Sequence, residues 1–151
     1  MNTLIRPMKS EDILEICLIE KDVFNDPWSE DMFITSVLSY RSWVLQEIDT
    51  ALILGYMIGE KVVEEFSIYN IAVRPEYQRQ GLGIQLTKNI IEEMSAEGCS
   101  KFFLEVRKSN IRAISLYRKL GFQEIYIRKG YYNNPVDDAL IMKLSNNEEE
   151  G

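Results

Sequence analysis

The sequence predicts a single domain of the α/β (α+β) class, with one mixed central sheet flanked by helices on both faces. The chain has 151 residues, of which 46% are hydrophobic and 27% are charged, as is typical of one globular domain. Segments with apolar residues at helical spacing are interleaved with short β-branched and aromatic runs, in the order β-α-α-β-β-β-α-β-α-β-β. A glycine-rich turn joins one of these strands directly to a helix, which is the connection that α/β proteins use.

The first half is predicted to contain a strand, two helices and three further strands, over residues 3–6, 10–24, 29–39, 42–48, 51–58 and 62–73. Pro7 ends the first strand because it lacks the N–H group that a ladder needs. Ser10 and Ser29 are favourable N-caps for the two helices. The inner face of the first helix is traced at helical spacing by Ile13, Ile16, Cys17, Glu20 and Phe24.

The second half is predicted to contain a helix, a strand, a helix and two strands, over residues 81–96, 101–106, 109–120, 122–127 and 139–144. Gly98 supplies the left-handed residue that commonly ends a helix. Ser109 is the expected N-cap of the fourth helix. We expect the single domain to cover residues 1–145 and a disordered acidic tail to cover residues 146–151.

The composition excludes several kinds of chemistry. The chain has no histidine, which excludes Ser-His-Asp and Cys-His nucleophilic sites and His-ligated zinc, and we expect no metal. Cys17 and Cys99 lack metal-ligand spacing and are expected to be reduced core thiols. No run is long and apolar enough for a transmembrane helix, and the first residues lack the features of a signal peptide. We therefore expect a cytoplasmic protein.

The net charge of −7 is unevenly distributed. Residues 1–74 carry 13 acidic and 6 basic residues, whereas residues 75–151 carry 11 of each. An acidic half suits a cationic partner, although the same surface could serve only solubility. Because the chain is acidic and has no basic stripe, we expect no direct nucleic-acid binding, and we expect no membrane binding. The sequence leaves open whether the protein is a monomer or a weak dimer.

The most informative segment runs from Asn70 to Gly83 and reads N-I-A-V-R-P-E-Y-Q-R-Q-G-L-G. An apolar strand meets Pro75, a polar turn follows, and glycines then begin a helix. Glycine leaves the N–H groups at the helix start uncovered, so an anionic group can approach the positive end of the helix dipole. This pattern is typical of a pyrophosphate seat, although it lacks the third glycine of a dinucleotide fingerprint and the lysine of a P-loop. An ordinary tight turn is the alternative.

Three polar residues of the second half are candidates for catalysis and binding. In the strand K-F-F-L-E-V-R, Glu105 shares a face with Phe103 and Arg107, where it could act as a base, pair with the arginine or simply be solvated. Asn110 and Tyr117 lie about two turns apart on one face of the next helix. Asn110 could bind the amides of a ligand or cap the helix. Tyr117 could protonate a leaving group or fill the core.

Aromatic residues from two distant segments form a further candidate site. Phe24, Trp28 and Phe33 belong to the first segment, and Tyr131 and Tyr132 belong to the second. Core packing is the default for each of them. If Tyr131 and Tyr132 are extended, their rings point to opposite faces, so at least one is expected to line a groove.

Taken together, these motifs resemble the GNAT acetyltransferases, and within them the bacterial ribosomal-protein-alanine N-acetyltransferases of the RimI type. The resemblance covers about residues 4–144. The element Q-R-Q-G-L-G (78–83) marks only the superfamily. The more specific strings are L-E-V-R-K-S-N, A-I-S-L-Y, L-G-F, R-K-G-Y-Y and D-A-L-I-M, which follow one another between residues 104 and 142.

The resemblance implies the GNAT acyl-CoA N-acyltransferase fold, with acetyl-CoA as donor and the N-terminal alanine of a basic, S18-like ribosomal protein as acceptor. It implies that Glu105 is the proton acceptor and Tyr117 the proton donor. The implied contacts with acetyl-CoA are Ile71, Ala72, Val73, Arg79, Gln80, Gly81, Leu82, Gly83, Ile84 and Asn110. The implied contacts with the acceptor are Phe24, Trp28, Tyr131 and Tyr132.

Two other functions remain open at this level. The same fold could acetylate lysine side chains, polyamines or small amines. A non-catalytic CoA-binding protein, acting as a sensor or scaffold, would bind CoA without turnover and would not depend on Glu105 or Tyr117.

Overall fold

The computed structural model describes residues 1–146, and these residues follow the predicted order of elements. The strands are β1 (Thr3–Pro7), β2 (Arg41–Glu47), β3 (Ile53–Val62), β4 (Glu65–Val73), β5 (Lys101–Arg107), β6 (Gln123–Tyr132) and β7 (Asp137–Ser145). The helices are α1 (Ile13–Val23), α2 (Glu30–Ser39), α3 (Leu82–Ala96) and α4 (Ile111–Lys119). No helix in this part of the chain combines the length and apolarity needed to cross a bilayer.

The seven strands form one mixed sheet in the order β1-β2-β3-β4-β5-β7-β6. β1 pairs with β2, and β2 with β3, in antiparallel register. β4 and β5 are parallel, whereas β5 with β7 and β7 with β6 are antiparallel. The predicted α/β class with a mixed sheet is therefore confirmed.

The described chain divides into two compact units. The first comprises residues 1–60 and 69–89, and the second comprises residues 61–68 and 90–146. The first contains β1, β2, α1 and α2, and the second contains β5, α4, β6 and β7. β3, β4 and α3 each contribute residues to both units.

The core of the first unit is built mainly from α1 and β3. Its buried members are Met8, Ile13, Ile16, Ile19, Phe33, Val44, Ile53, Tyr56, Ile58 and Ala72. The predicted inner face of α1 is confirmed, and Glu20 on that face is as buried as its apolar neighbours. Ser29 caps α2 as predicted, because its hydroxyl accepts from the Met32 N–H group at 3.2 Å.

Ser10 does not cap α1, so that prediction was wrong. Residues Ser10–Asp12 form a 3₁₀ turn that leads into the helix. The capping role at this corner belongs to the Asp12 carboxylate, which accepts from the Lys9 N–H group at 2.7 Å and from two nitrogens of Arg6 at 2.9 Å. A carboxylate that accepts charge-assisted hydrogen bonds is a stronger partner than a serine hydroxyl.

Two strand boundaries also differ from prediction. β3 does not end near Gly59 but runs on to Val62, so the turn before β4 falls at Val63, which has φ of 57°. β6 continues through Tyr132, so the segment R-K-G-Y-Y is strand and not loop. In both places glycine lies inside the strand rather than at its end, where it marks an irregularity or a close approach of backbone.

The second unit has its core between β5, β7 and the helices. Phe102, Leu104 and Val106 of β5 are buried and alternate with less buried residues, as predicted. The N-cap of α4 is Asn110 and not Ser109, because Ser109 donates to the Asp137 carboxylate at 2.5 Å instead. The predicted tail lies outside the described residues except for Asn146, whose N–H group donates to the Ser100 carbonyl at 3.0 Å.

Candidate active site

The predicted pyrophosphate turn lies in the first unit, between the end of β4 and the start of α3. The Arg74 N–H group donates to the Leu54 carbonyl at 2.7 Å, and the Gln78 side chain donates to the Val73 carbonyl at 3.0 Å. These bonds attach the polar turn to the strand end. Arg79 and Gly81 have φ values of 66° and 78°, so the backbone turns sharply before the helix begins.

The start of α3 presents uncovered N–H groups. The Gly81 carbonyl accepts from the Gln85 N–H group at 3.0 Å, so the helical ladder begins there. The N–H groups of Leu82, Gly83 and Ile84 precede the first acceptor that the helix offers. A Cβ atom built on Gly81 would have no heavy atom within 4 Å, which leaves space above this turn. Anions bind at such helix starts, so the turn fits a pyrophosphate.

Replacing Gly81 with alanine is expected to weaken CoA binding at least tenfold. The alanine must adopt a left-handed conformation, which costs about 1–2 kcal/mol, and its methyl group occupies the space above the N–H groups. Titration calorimetry with CoA measures the dissociation constant, and thermal unfolding measures the loss of stability that the strained backbone causes.

Gly98→Ala is the matched control for this prediction. Gly98 also has a positive φ, of 101°, and open space around its Cβ position, but it lies beyond the other end of α3. We expect Gly98→Ala to lose as much stability as Gly81→Ala and to bind CoA with unchanged affinity. Equal loss of affinity in both variants would show that Gly81 matters only for folding.

The three β4 residues that precede this turn are placed differently from one another. Ala72 packs in the core of the first unit, whereas Ile71 and Val73 are half-buried. A Cβ atom at Gly55 would lie 2.6 Å from the Ala72 carbonyl oxygen, so the β3 and β4 backbones approach closely here. Any ligand contact made by Ala72 therefore falls to its backbone.

Glu105 lies on the outer face of β5 in the second unit and is exposed to solvent. The Tyr132 side chain lies nearby, and burial together with the negative charge of Glu105 raises the pKa of Tyr132 to about 12. The Arg107 guanidinium lies 4.5 Å from the centroid of the Tyr132 ring. Glu105 therefore shares a face of β5 with Arg107, whose guanidinium contacts Tyr132, a predicted acceptor-binding residue.

Arg107 also organises the loop between β6 and β7. Its guanidinium donates to the carbonyl oxygens of Asn133 and Pro135, both at 2.8 Å. A guanidinium that makes two hydrogen bonds and a ring contact is held in one orientation. Arg107 thus contacts both this loop and the Tyr132 ring.

Tyr117 is buried on α4, with 7% of its surface exposed. Its ring packs edge-on against Phe122 with 5.8 Å between centroids. Burial raises the pKa of the Tyr117 hydroxyl above its usual value, so the group stays protonated far above neutral pH. Within residues 1–146 the hydroxyl has no hydrogen-bond partner, although it is not sealed from solvent. It is therefore both a core residue and a hydroxyl that can still donate its proton.

Asn110 caps helix α4, which is the structural role that its position in the sequence allowed. Its side-chain oxygen accepts from the Ala113 N–H group at 3.2 Å and so caps α4. The cap occupies only the oxygen of the side chain, which leaves the amide N–H groups able to donate to a ligand. Capping and ligand binding are therefore compatible at Asn110.

The aromatic candidates divide between the two units. Phe24 and Trp28 pack against the core of the first unit, and the Trp28 ring lies 5.4 Å from that of Phe33, which is fully buried. The rings of Tyr131 and Tyr132 lie 5.2 Å apart in an edge-on contact. They do not point to opposite faces as expected, because the β6–β7 register shifts before Tyr132 and Gly130 has a positive φ.

Sequence reasoning missed two carboxylates. Asp137 accepts from both the hydroxyl and the N–H group of Ser109 and ties the loop before α4 to β7, and these bonds keep its pKa low. Glu20 accepts the Trp28 N–H group at 2.9 Å from inside the first unit. The signal for Glu20 was present, since a glutamate on the apolar face of a helix requires buried partners.

The chain is similar over most of its length to characterised proteins. The sequence profile of the Acetyltransferase (GNAT) family matches residues 13–122. The chain is 39% identical to the ribosomal-protein-bS18-alanine N-acetyltransferase of Escherichia coli strain K12 over 146 residues, which covers 95% of this chain and 97% of the relative.

Two solved structures have the same fold. The crystal structure of the ribosomal-protein-S18-alanine N-acetyltransferase from Escherichia coli matches with a TM-score of 0.88 and 36% identity, covering 95% of this chain and 94% of that one. Arabidopsis thaliana NAA60 in complex with acetyl-CoA matches with a TM-score of 0.86 and 19% identity, covering 97% and 99%. At that identity the second likeness concerns the fold alone.

Proposed function

Because the chain belongs to the GNAT family of acetyltransferases, we propose that it transfers the acetyl group of acetyl-CoA to the N-terminal alanine of a basic, S18-like ribosomal protein. The observation that carries the proposal is the exposed Glu105 carboxylate on a strand whose other face is buried, on the same face as Arg107, which contacts Tyr132. A ribosomal-protein acceptor implies that the enzyme works in the cytoplasm.

The turn and strand end of the first unit hold acetyl-CoA in this proposal. The first-turn N–H groups of α3 bind the pyrophosphate, with Arg79 and Gln80 beside it. Backbone groups of Ile71 and Val73 bind the pantetheine, and Asn110 of the second unit donates to it. When bound, acetyl-CoA supplies an acetyl group activated as a thioester.

Glu105 and Tyr117 move the two protons of the reaction. The neutral α-amine forms a bond from its nitrogen to the acetyl carbon, and the carbon–sulfur bond breaks. Glu105 accepts the proton that the nitrogen loses, and Tyr117 gives its proton to the sulfur. Negative charge that develops on the acetyl oxygen is stabilised by the N–H group of Ile71 or Val73.

An α-amine suits this site better than a lysine side chain. The pKa of an α-amine is about 7.7–8.0 and that of lysine is about 10.4. Deprotonation at pH 7 therefore costs roughly 1 kcal/mol for the α-amine and roughly 4–5 kcal/mol for lysine, at 1.36 kcal/mol per pKa unit. A chain without histidine has only weak bases near neutral pH, so the smaller cost favours the α-amine.

The surface around Trp28 favours a basic acceptor. Four carboxylates lie within ten residues of each other along this segment, and all are exposed: Asp22, Asp26, Glu30 and Asp31. Complementary charge increases the rate at which a cationic peptide meets this surface. The association is therefore expected to weaken as salt is added.

Mass spectrometry tests the assignment of the acceptor. We expect a peptide with N-terminal alanine and internal lysines to receive one acetyl group, on the α-amine, when it is incubated with the protein and acetyl-CoA. The same peptide with its N-terminus already acetylated is the matched control and is expected to remain unchanged. Acetylation of lysines alone, in either peptide, would contradict the proposal and support the lysine alternative.

A further inference from the structure

A buried carboxylate connects three elements of the first unit. Glu20 is 1% exposed on the inner face of α1. Its Oε1 atom accepts from the Tyr56 hydroxyl at 2.5 Å and from the Asn70 side-chain amide at 2.9 Å. Its Oε2 atom accepts from the Trp28 N–H group at 2.9 Å. The three donors belong to β3, to β4 and to the segment between α1 and α2.

Burying the Glu20 carboxylate costs folding free energy. A carboxylate removed from water is costly unless donors replace its hydration, and two of these donors are themselves removed from bulk water. Tyr56 is fully buried and Asn70 is 7% exposed. A leucine or methionine at position 20 would fill the same face of α1 without such partners. What the carboxylate adds is a fixed distance between the three elements.

Glu20 connects two regions that bind substrate in the proposed function. One is the Trp28 segment, which contacts the acceptor, and the other is the end of β4, which contacts acetyl-CoA. Trp28 is a proposed acceptor contact, and Asn70 directly precedes the proposed pantetheine strand, Ile71–Val73. The Trp28 ring is linked to Tyr56 through Phe33. It packs on the Phe33 ring, which lies 5.8 Å from the Tyr56 ring. Backbone and ring of Trp28 are both fixed through the Glu20–Tyr56 pair.

We propose that Glu20 is a positioning residue, which fixes the acceptor-binding segment at Trp28 relative to the end of β4. The inference rests on the proposed function, because it takes Trp28 and Ile71–Val73 as substrate contacts. Glu20 transfers no proton to or from substrate in this proposal. It acts through the Trp28 backbone, and small displacements of a positioned substrate are enough to slow a reaction about 100-fold.

Glu20→Gln tests the role with almost no change of shape. An amide has one acceptor oxygen, so it cannot accept from all three donors, and its own N–H groups face at least one of them. We expect the KM for an alanine-terminated peptide to rise at least tenfold. The KM for acetyl-CoA is expected to stay within twofold, since the strand end and the turn after β4 are held by hydrogen bonds to Leu54 and Val73 that do not involve Glu20.

Two further variants separate positioning from general damage. Glu60→Gln is the matched control, because Glu60 also accepts from a tyrosine, Tyr69, at 2.5 Å, but does not contact Trp28. We expect it to leave the peptide KM unchanged. The double variant E20Q/N70D exchanges amide and carboxylate, so the new amide can donate to position 70 and accept from Trp28. We expect it to restore the peptide KM to within threefold of the wild-type value.

Tryptophan fluorescence reports on the environment of Trp28 and does not require enzymatic turnover. The chain has two tryptophans, so the W43F background leaves Trp28 as the single reporter. In that background E20Q is expected to shift the emission to the red and to increase quenching by acrylamide, and E60Q is not. If the wild-type chain binds CoA but acetylates no α-amine, only the proposed function is overturned. The comparison of Trp28 emission between the W43F and W43F/E20Q variants would still show whether Glu20 fixes Trp28.

The kinetic result is decisive in either direction. A folded E20Q variant with the wild-type peptide KM and the wild-type Trp28 emission would overturn the inference. If E20Q does not fold, E20Q/N70D decides the matter: a peptide KM near the wild-type value supports positioning, and a raised value in a folded double variant overturns it.

Discussion

Glu105→Gln is expected to lower kcat for an alanine-terminated peptide by about 10²–10⁴-fold, the usual contribution of a general base. The amide is isosteric but cannot accept the proton that the amine nitrogen must lose. Because Glu105 is exposed and lies on the sheet face away from the buried residues Phe102, Leu104 and Val106, the variant is expected to fold normally. Steady-state kinetics at saturating acetyl-CoA, together with calorimetric titration of CoA, measure the two properties separately.

Glu124→Gln is the control for this prediction. Glu124 is an exposed carboxylate of β6 that pairs with Arg118, so the substitution removes a negative charge from the same unit without touching β5. We expect it to leave kcat unchanged. If Glu105→Gln binds CoA and also retains full turnover, Glu105 is not the base. If the wild-type chain binds CoA without turnover, the sensor alternative is correct.

The order and type of the elements follow from local patterns in the sequence. Hydrophobic spacing on α1, alternation on β5 and the proline and glycine positions act within a few residues, so they can be seen without the fold. One error occurred where a distant residue competes for a local partner. Ser109 is a good N-cap by type, but Asp137 engages it and Asn110 caps the helix instead.

The candidate site is predictable to the extent that it depends on backbone and on single strands. The uncovered N–H groups at Gly81 and the exposed face of Glu105 are both consequences of short motifs. The surroundings of Glu105 are not, because Arg107 binds carbonyl oxygens that lie 26 and 28 residues away in sequence. The contact between the Tyr131 and Tyr132 rings likewise depends on a register shift that alternation cannot reveal.

Glu20 illustrates the same limit in the core. Its position on the apolar face of α1 indicates that it is buried, but its partners come from residues 8, 36 and 50 positions away. Only the assembled unit shows that one carboxylate binds a loop N–H group, a tyrosine and an asparagine. Sequence patterns therefore locate such a residue, and the fold assigns its role.

Tyr117→Phe is expected to lower kcat by about 10²–10⁴-fold while leaving stability nearly unchanged. The substitution keeps the ring and its contact with Phe122, and within residues 1–146 it breaks no hydrogen bond. What it removes is the proton for the departing thiolate. An acetyl thioester of a more acidic thiol needs that proton less, so it is expected to recover much of the lost rate in Tyr117→Phe and to change the wild-type rate little.

The pH dependence provides the second test of Tyr117. Burial raises its pKa above the ordinary value of about 10, and a proton donor is active below its pKa. The wild-type rate is therefore expected to rise with deprotonation of the α-amine near pH 8 and to show no alkaline fall below about pH 10. Tyr126→Phe is the control, since Tyr126 is an exposed hydroxyl on β6. An alkaline fall between pH 7 and 9 that disappears in Tyr117→Phe would show that the hydroxyl titrates far below the range set by its burial, contrary to this mechanism.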